Sequence, residues 1–173
     1  ADGLPLTTSN VIFGSALPKW VGGFTNAFDY KGIMLSFLID FKLGGKLLSG
    51  TNFNAWRHGL HKVTLNGREG GTLDANGNDP GKVTGVGVNA ASEPNTASAT
   101  NENYFSVVRA RGLIEPVIYD AGYWKLRQIT LGYDFSKFLK TSFPVKGLKL
   151  SAVANNVLML KKWADNIDPE AFG

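Results

Sequence analysis

Tyr30-Lys31-Gly32-Ile33-Met34-Leu35-Ser36-Phe37-Leu38-Ile39-Asp40-Phe41-Lys42 is the stretch that decides the fold. Ile33, Leu35, Phe37, Ile39 and Phe41 recur at every second residue, so an extended chain carries all of them on one face. Ser36, Asp40 and Lys42 fall on the other face, together with Met34 and Leu38. A helix would scatter both sets around its axis. Tyr30-Lys31-Gly32 reads as a tight turn, with Gly32 supplying the unusual backbone angles. Upstream, Trp20 to Tyr30 alternates as well: Trp20, Phe24, Phe28 and Tyr30 share one face, Thr25 and Asp29 the other.

Two more strands are expected downstream. Tyr123 to Phe135 places Ile129, Leu131, Tyr133 and Phe135 together, but Trp124 and Leu126 fall out of phase. A β-bulge near Arg127-Gln128 reconciles the two halves. Leu148 to Leu160 aligns Leu148, Leu150, Ala152, Ala154, Leu158 and Leu160, with Ser151 and Asn155 opposite. Ser136 to Val145 is a short amphipathic connection. Val145-Lys146-Gly147-Leu148-Lys149-Leu150-Ser151 echoes Tyr30-Lys31-Gly32-Ile33-Met34-Leu35-Ser36, as in two successive hairpins of one meander. Between the hairpins, Gly44 to Pro116 shows no sustained alternation. Gly50 to Lys62 is expected to be partly helical and Asn101 to Ala110 a short helix; Thr72 to Thr100 reads as irregular loop. One connection of roughly seventy residues beside short ones is unusual in a compact soluble domain but ordinary in an outer-membrane barrel.

Composition agrees with strands. Charged residues make up 18% of the chain, below the roughly 25% of soluble domains. No apolar run approaches the roughly twenty residues that a membrane-spanning helix needs, whereas a barrel strand needs only about ten. The net charge of +4 comes from scattered Lys and Arg without a basic stripe, which argues against nucleic-acid binding. No cysteine is present, so disulfides are not the framework. No signal peptide is recognisable, and the opening Ala1-Asp2-Gly3 fits a mature chain or an internal piece of a longer one. Alternation alone does not separate a lipid-facing barrel from a soluble β-sandwich, because both have period two. Aromatic strand ends, unequal connections and polar residues such as Asp29, Asp40 and Asn155 on the second face favour the barrel.

Several motifs sharpen this reading. Leu17-Pro18-Lys19-Trp20-Val21-Gly22-Gly23-Phe24-Thr25-Asn26 and Tyr30-Lys31-Gly32, with the strand after it, resemble late barrel strands of SusC/RagA-type TonB-linked outer-membrane proteins of Bacteroidetes. Gly59-Leu60-His61-Lys62 followed by Leu65-Asn66-Gly67-Arg68-Glu69-Gly70-Gly71 resembles a loop of that family. Tyr123-Trp124-Lys125-Leu126-Arg127 with Leu131-Gly132-Tyr133 is similar to its "YxKLRxxxLGY" strand. Asn155-Asn156-Val157-Leu158, then Asp168-Pro169-Glu170, is similar to its "NNL…DPE" ending, with Val157 in place of the leucine. The resemblance covers nearly the whole chain in family order. It implies an all-β fold: residues 1–173 as the C-terminal part of an antiparallel transmembrane β-barrel, about four or more strands of about 22, with residues 43–116 as a long extracellular loop region carrying short helices. It further implies outer-membrane localisation, TonB-dependent import of a glycan or oligopeptide, and a SusD-like lipoprotein lid. TonB would be engaged through N-terminal regions that this chain does not contain. The plug and most strands are missing too, and four strands do not close a barrel, so transport does not reside in this stretch alone. The alternative is a soluble β-rich carbohydrate-binding module.

Individual residues add candidates. Trp56, His58, Tyr104, Phe105 and Trp163 lie in or beside the expected extracellular segments and are candidates for contact with substrate or lid; the same rings could instead pack the loops together. Trp20, Tyr30, Trp124 and Tyr133 are expected at the membrane interfaces. His58 and His61 are three apart but lack a third ligand, and Asp74, Asn76, Asn78 and Asp79 lack the calcium-loop glycine position, so no metal is expected. Asp168 and Glu170 read as turn residues rather than paired catalytic carboxylates. No nucleophile, base and orienting group can be assembled, so neither an enzyme nor a cofactor site is expected.

Overall fold

A computed structural model describes residues 2–65, 67–68, 81–139 and 144–172. The expected Asp74–Asp79 turn and most of the segment from Asn66 to Gly71 lie outside these residues. The strands are β1 (Trp20–Tyr30), β2 (Ile33–Leu43), β3 (Lys46–Leu48), β4 (Lys82–Thr84), β5 (Ser98–Thr100), β6 (Ile118–Asp120), β7 (Tyr123–Asp134) and β8 (Lys149–Lys162). Two helices, α1 (Gly50–Arg57) and α2 (Asn101–Ala110), lie between β3 and β6. The chain divides into two compact units. One comprises Gly14–Leu47 and Asp120–Gly173; the other comprises Ala1–Phe13 and Leu48–Tyr119. Among the described residues no helix is long and apolar enough to cross a membrane, which leaves strands untouched.

The first unit is a four-stranded antiparallel sheet in the order β1-β2-β7-β8. β1 and β2 are joined by Lys31 and Gly32, both at positive φ (52° and 92°), the geometry of the hairpin turn that matches strand twist. Register then fixes the faces. Phe28 pairs with Leu35 and Tyr30 with Ile33; Leu35 pairs with Leu131 and Ile33 with Tyr133; Leu131 pairs with Ala152 and Tyr133 with Leu150. These rows form one apolar face across all four strands. Thr25, Ser36, Asp40, Lys125, Gln128, Thr130 and Ser151 lie in the rows of the opposite face.

The expected bulge is present. Leu38 pairs with Gln128 and Ile39 with Leu126, leaving Arg127 unopposed on β2. The extra residue restores Trp124 and Leu126 to the apolar side, where the Trp124 ring stacks on Phe41 at 4.6 Å. Gly22, opposite Phe41, has a physical reason: a Cβ there would lie 2.9 Å from the Phe41 ring.

Among the described residues the apolar face of the sheet is left open. Phe24, Phe28, Ile33, Leu131, Leu150 and Leu158 all stay exposed to solvent, Leu150 by 67%. At about 3.3 Å per residue and a tilt of about 40°, eleven-residue strands rise about 27 Å, close to the apolar band of an outer-membrane barrel.

The second unit has a small core of its own. Ser49 caps α1 by accepting from the Asn52 N–H at 3.0 Å, and its own N–H donates to Val117 O at 2.9 Å. The Asn52 amide donates to the Tyr119 hydroxyl at 2.9 Å. Val83, Ala99, Phe105, Val107 and Val117 are buried. The segment expected to be irregular contains β4 and β5, which pair antiparallel as Lys82 with Thr100, Val83 with Ala99 and Thr84 with Ser98. Three-residue strands are too short to show alternation, so the sequence pattern missed them.

Candidate functional site

On the polar face of the sheet the charged residues converge. The bulge turns the Arg127 side chain toward β2, where Nε donates to Asp40 Oδ2 at 2.8 Å and Nη2 reaches the same oxygen. Nη1 donates to Asn156 Oδ1 on β8 at 2.8 Å, and Nη2 lies 2.7 Å from Glu170 Oε1. Lys125, two residues earlier, bonds to the second oxygen of Glu170 and lies 4.0 Å from Asp168. Three carboxylates and two cations thus form one network, of which Lys125 is buried. Asp40 Oδ1 is buried and has no hydrogen-bond partner among the described residues.

Glu170 reaches this network because the C-terminal segment folds back. Ile167 O accepts from Lys162 Nζ at 2.7 Å, and Asp168 Oδ1 accepts from the Glu170 N–H at 2.9 Å. Hydrogen bonds from Arg127 and then Lys125 hold the Glu170 carboxyl well below the usual range, at about 2. Asp168 and Glu170 are therefore turn residues, as the sequence suggested, and ion-pair partners as well. Spacing hinted at the second role: Lys125 and Arg127 are two apart, as are Asp168 and Glu170. Nothing local indicated that the pairs would meet.

The other unit holds a cleft of about 480 Å³. Trp56 and Tyr104 line it, with Leu6, Val88, Asn95 and Glu115 among the other walls. Trp56 Nε1 is buried and has no hydrogen-bond partner among the described residues. Burial raises the Tyr104 hydroxyl above its ordinary pKa, so it stays a neutral donor. Phe105 is only 5% exposed and stands edge-on to both Trp56 (5.8 Å) and Tyr104 (5.3 Å), so it supports the cleft from behind.

The remaining candidates lie elsewhere. His58 is exposed and accepts from Arg57 Nε at 3.0 Å. His61 is buried, and its Nδ1 accepts from the Val63 N–H at 3.2 Å. Trp163 belongs to the sheet unit, where the Lys161 ammonium sits 4.8 Å from its ring. Trp20 and Tyr30 mark opposite ends of β1, exposed by 71% and 68%. Trp124 and Tyr133 stand near opposite ends of β7.

Comparison with known proteins places this geometry. No family model matches the chain. The chain is 28% identical over 163 residues to TonB-dependent receptor P39 of Formosa agariphila, a match covering 92% of this chain and 14% of the receptor. Among solved structures it is similar to the RagAB peptide transporter, with a TM-score of 0.56 at 18% identity, over 94% of this chain and 16% of that one. It is also similar to the RagAB peptide importer in its closed-closed state, with a TM-score of 0.56 at 20% identity, over 97% of this chain and 17% of that one. The chain thus spans only about a sixth of the length of these proteins. The resemblance read from the motifs is matched by a TonB-dependent receptor in sequence and by RagAB in fold.

Proposed function

We propose that this chain forms part of the wall of an outer-membrane TonB-dependent nutrient importer, its apolar face against lipid and its polar face against a water-filled lumen. The single observation carrying this reading is the two-sided sheet. Its apolar side chains stay exposed across four strands, while a network of five charged side chains occupies the other side. A soluble sandwich would put the first face in a dry core. The similarity to a TonB-dependent receptor over most of the chain supports the same reading.

In this reading the role of the stretch is structural. The Asp40–Arg127–Glu170 network holds neighbouring strands and the C-terminal segment in register on the lumen side. Trp20, Tyr30, Trp124 and Tyr133 sit at the interfaces, as amphipathic rings do. The segment within residues 43–116 is extracellular, and Trp56 and Tyr104 meet cargo or a SusD-like lipoprotein there. The cargo is an oligopeptide or a glycan, and the similarity to the RagAB peptide transporter favours the peptide.

Cysteine labelling offers a direct test, because this stretch has no cysteine of its own and any elsewhere in the full-length protein is first replaced by serine. Single cysteines at Leu131 and Leu150, and at Thr130 and Ser151, are introduced into the full-length protein in outer membranes. A membrane-impermeant maleimide should label the second pair and spare the first. Equal labelling of both pairs, or the reverse pattern, sinks the reading. The soluble carbohydrate-binding alternative predicts a monodisperse protein in plain buffer.

A further inference from the structure

The apolar face is not uniform. Near the short-turn end, Ile33, Leu131, Tyr133, Phe135, Leu150 and Ala152 line a trough of about 540 Å³. Ala152 stands opposite Leu131 in its wall, where a larger side chain would fill the row. Aromatic rings close its end: Tyr133 stands edge-on to Phe135 at 4.7 Å and stacks on Phe138 at 6.2 Å.

Two lysines adjoin the residues of that end in sequence. Lys31, in the β1–β2 turn, sits 5.2 Å from the Tyr30 ring, and Tyr30 pairs with the trough residue Ile33. Lys137 precedes Phe138 and is exposed. Among the described residues neither lysine is paired with a carboxylate, whereas nearby Lys149 is matched by Asp134 at 3.6 Å. An apolar trough with unmatched positive charge at one end has the polarity of an anionic phospholipid: acyl chain in the trough, phosphate at the lysines.

We propose that this trough is a binding site for an anionic phospholipid, with Lys31 and Lys137 engaging its headgroup. The proposal rests on the apolar face meeting lipid. Peptide or protein ligands fit less well, because the side chains that line the trough are apolar apart from the Tyr133 hydroxyl.

The test uses the full-length transporter in nanodiscs holding equal phosphatidylglycerol and phosphatidylethanolamine, with retained lipid read by native mass spectrometry. The wild type should retain phosphatidylglycerol over phosphatidylethanolamine by about fivefold or more. Lys31→Asn combined with Lys137→Gln should bring that ratio to about one, and asparagine suits the positive φ at position 31. Ala152→Phe, which fills the trough, should lower retention of both lipids. Equal retention by the wild type, or an unchanged ratio in the double variant, overturns the site. Because both lysines are exposed, the double variant tests the site even if Ala152→Phe folds poorly. Failure of the wall reading itself would appear separately, as the wrong cysteine-labelling pattern at Leu131 and Thr130.

Discussion

Arg127 Nε donates to Asp40 Oδ2 at 2.8 Å, tying the bulged residue of β7 to the neighbouring strand β2 across 87 positions of sequence. The bulge and the ion pair depend on each other. In a regular strand without the bulge, Arg127 would share a face with Ile129 and Leu131 and carry a guanidinium among apolar side chains. With it, Arg127 joins the polar side and Leu126 joins the apolar side.

Replacing Arg127 by Met should therefore destabilise the sheet by about 2–3 kcal/mol, because Asp40 and Glu170 lose their shared cation while partly buried. Urea unfolding of the full-length protein in detergent or bilayer checks this. Deleting Arg127 removes the bulged residue itself, so Leu126 and Trp124 keep the apolar side and the loss is again that of the shared cation.

The depressed Glu170 pKa gives a pH dependence with a definite sign. The folded value is about 2 against an ordinary 4.5. The stabilisation is fully present above about pH 4.5 and is lost as pH falls toward 2. Hydrogen-exchange protection over residues 163–172, taken relative to the intrinsic exchange rate at each pH, should be high at pH 5 and fall on acidification below about pH 4. Glu170→Gln should expose the segment at neutral pH and remove most of that acid dependence.

Depth and face can be separated by charge scanning. Ile129→Lys, on the apolar face about midway between Trp124 and Tyr133, should cost about 2–4 kcal/mol, whereas Thr130→Lys, one residue away on the polar face, should cost under about 1 kcal/mol. Equal costs would contradict the assignment of faces.

Gly22→Val should destabilise by about 1–3 kcal/mol, because the new side chain meets the Phe41 ring at a distance no real contact tolerates. Pairing the change with Phe41→Ala should recover part of the loss, and a double-mutant cycle measures the coupling.

If the proposed function holds, Trp56→Ala in the cleft should reduce uptake of the cargo without altering insertion of the full-length protein in the membrane, while Phe105→Ala should destabilise the loop unit by about 3 kcal/mol through its buried position. Uptake assays combined with limited proteolysis distinguish these outcomes.

Much of the sheet could be read from the sequence because alternation is a local property. Strands β1, β2, β7 and β8, the turn at Lys31-Gly32, the bulge at Arg127 and helix α2 all follow from residues within about a dozen positions of one another. The aromatic cleft was partly visible: Trp56 and Tyr104 were candidates, but only packing distinguishes them from the buried Phe105. The charged network was not visible, since Asp40, Lys125, Arg127 and Glu170 come from three separate segments and meet only after β2 pairs with β7 and the chain turns back at Asp168. Sequence alone determined which side of each strand is apolar, because side-chain direction is fixed by backbone period. Tertiary structure alone decided which charges neutralise one another and where the apolar face leaves a trough, because both depend on strand register and on distances between residues that the chain itself keeps far apart.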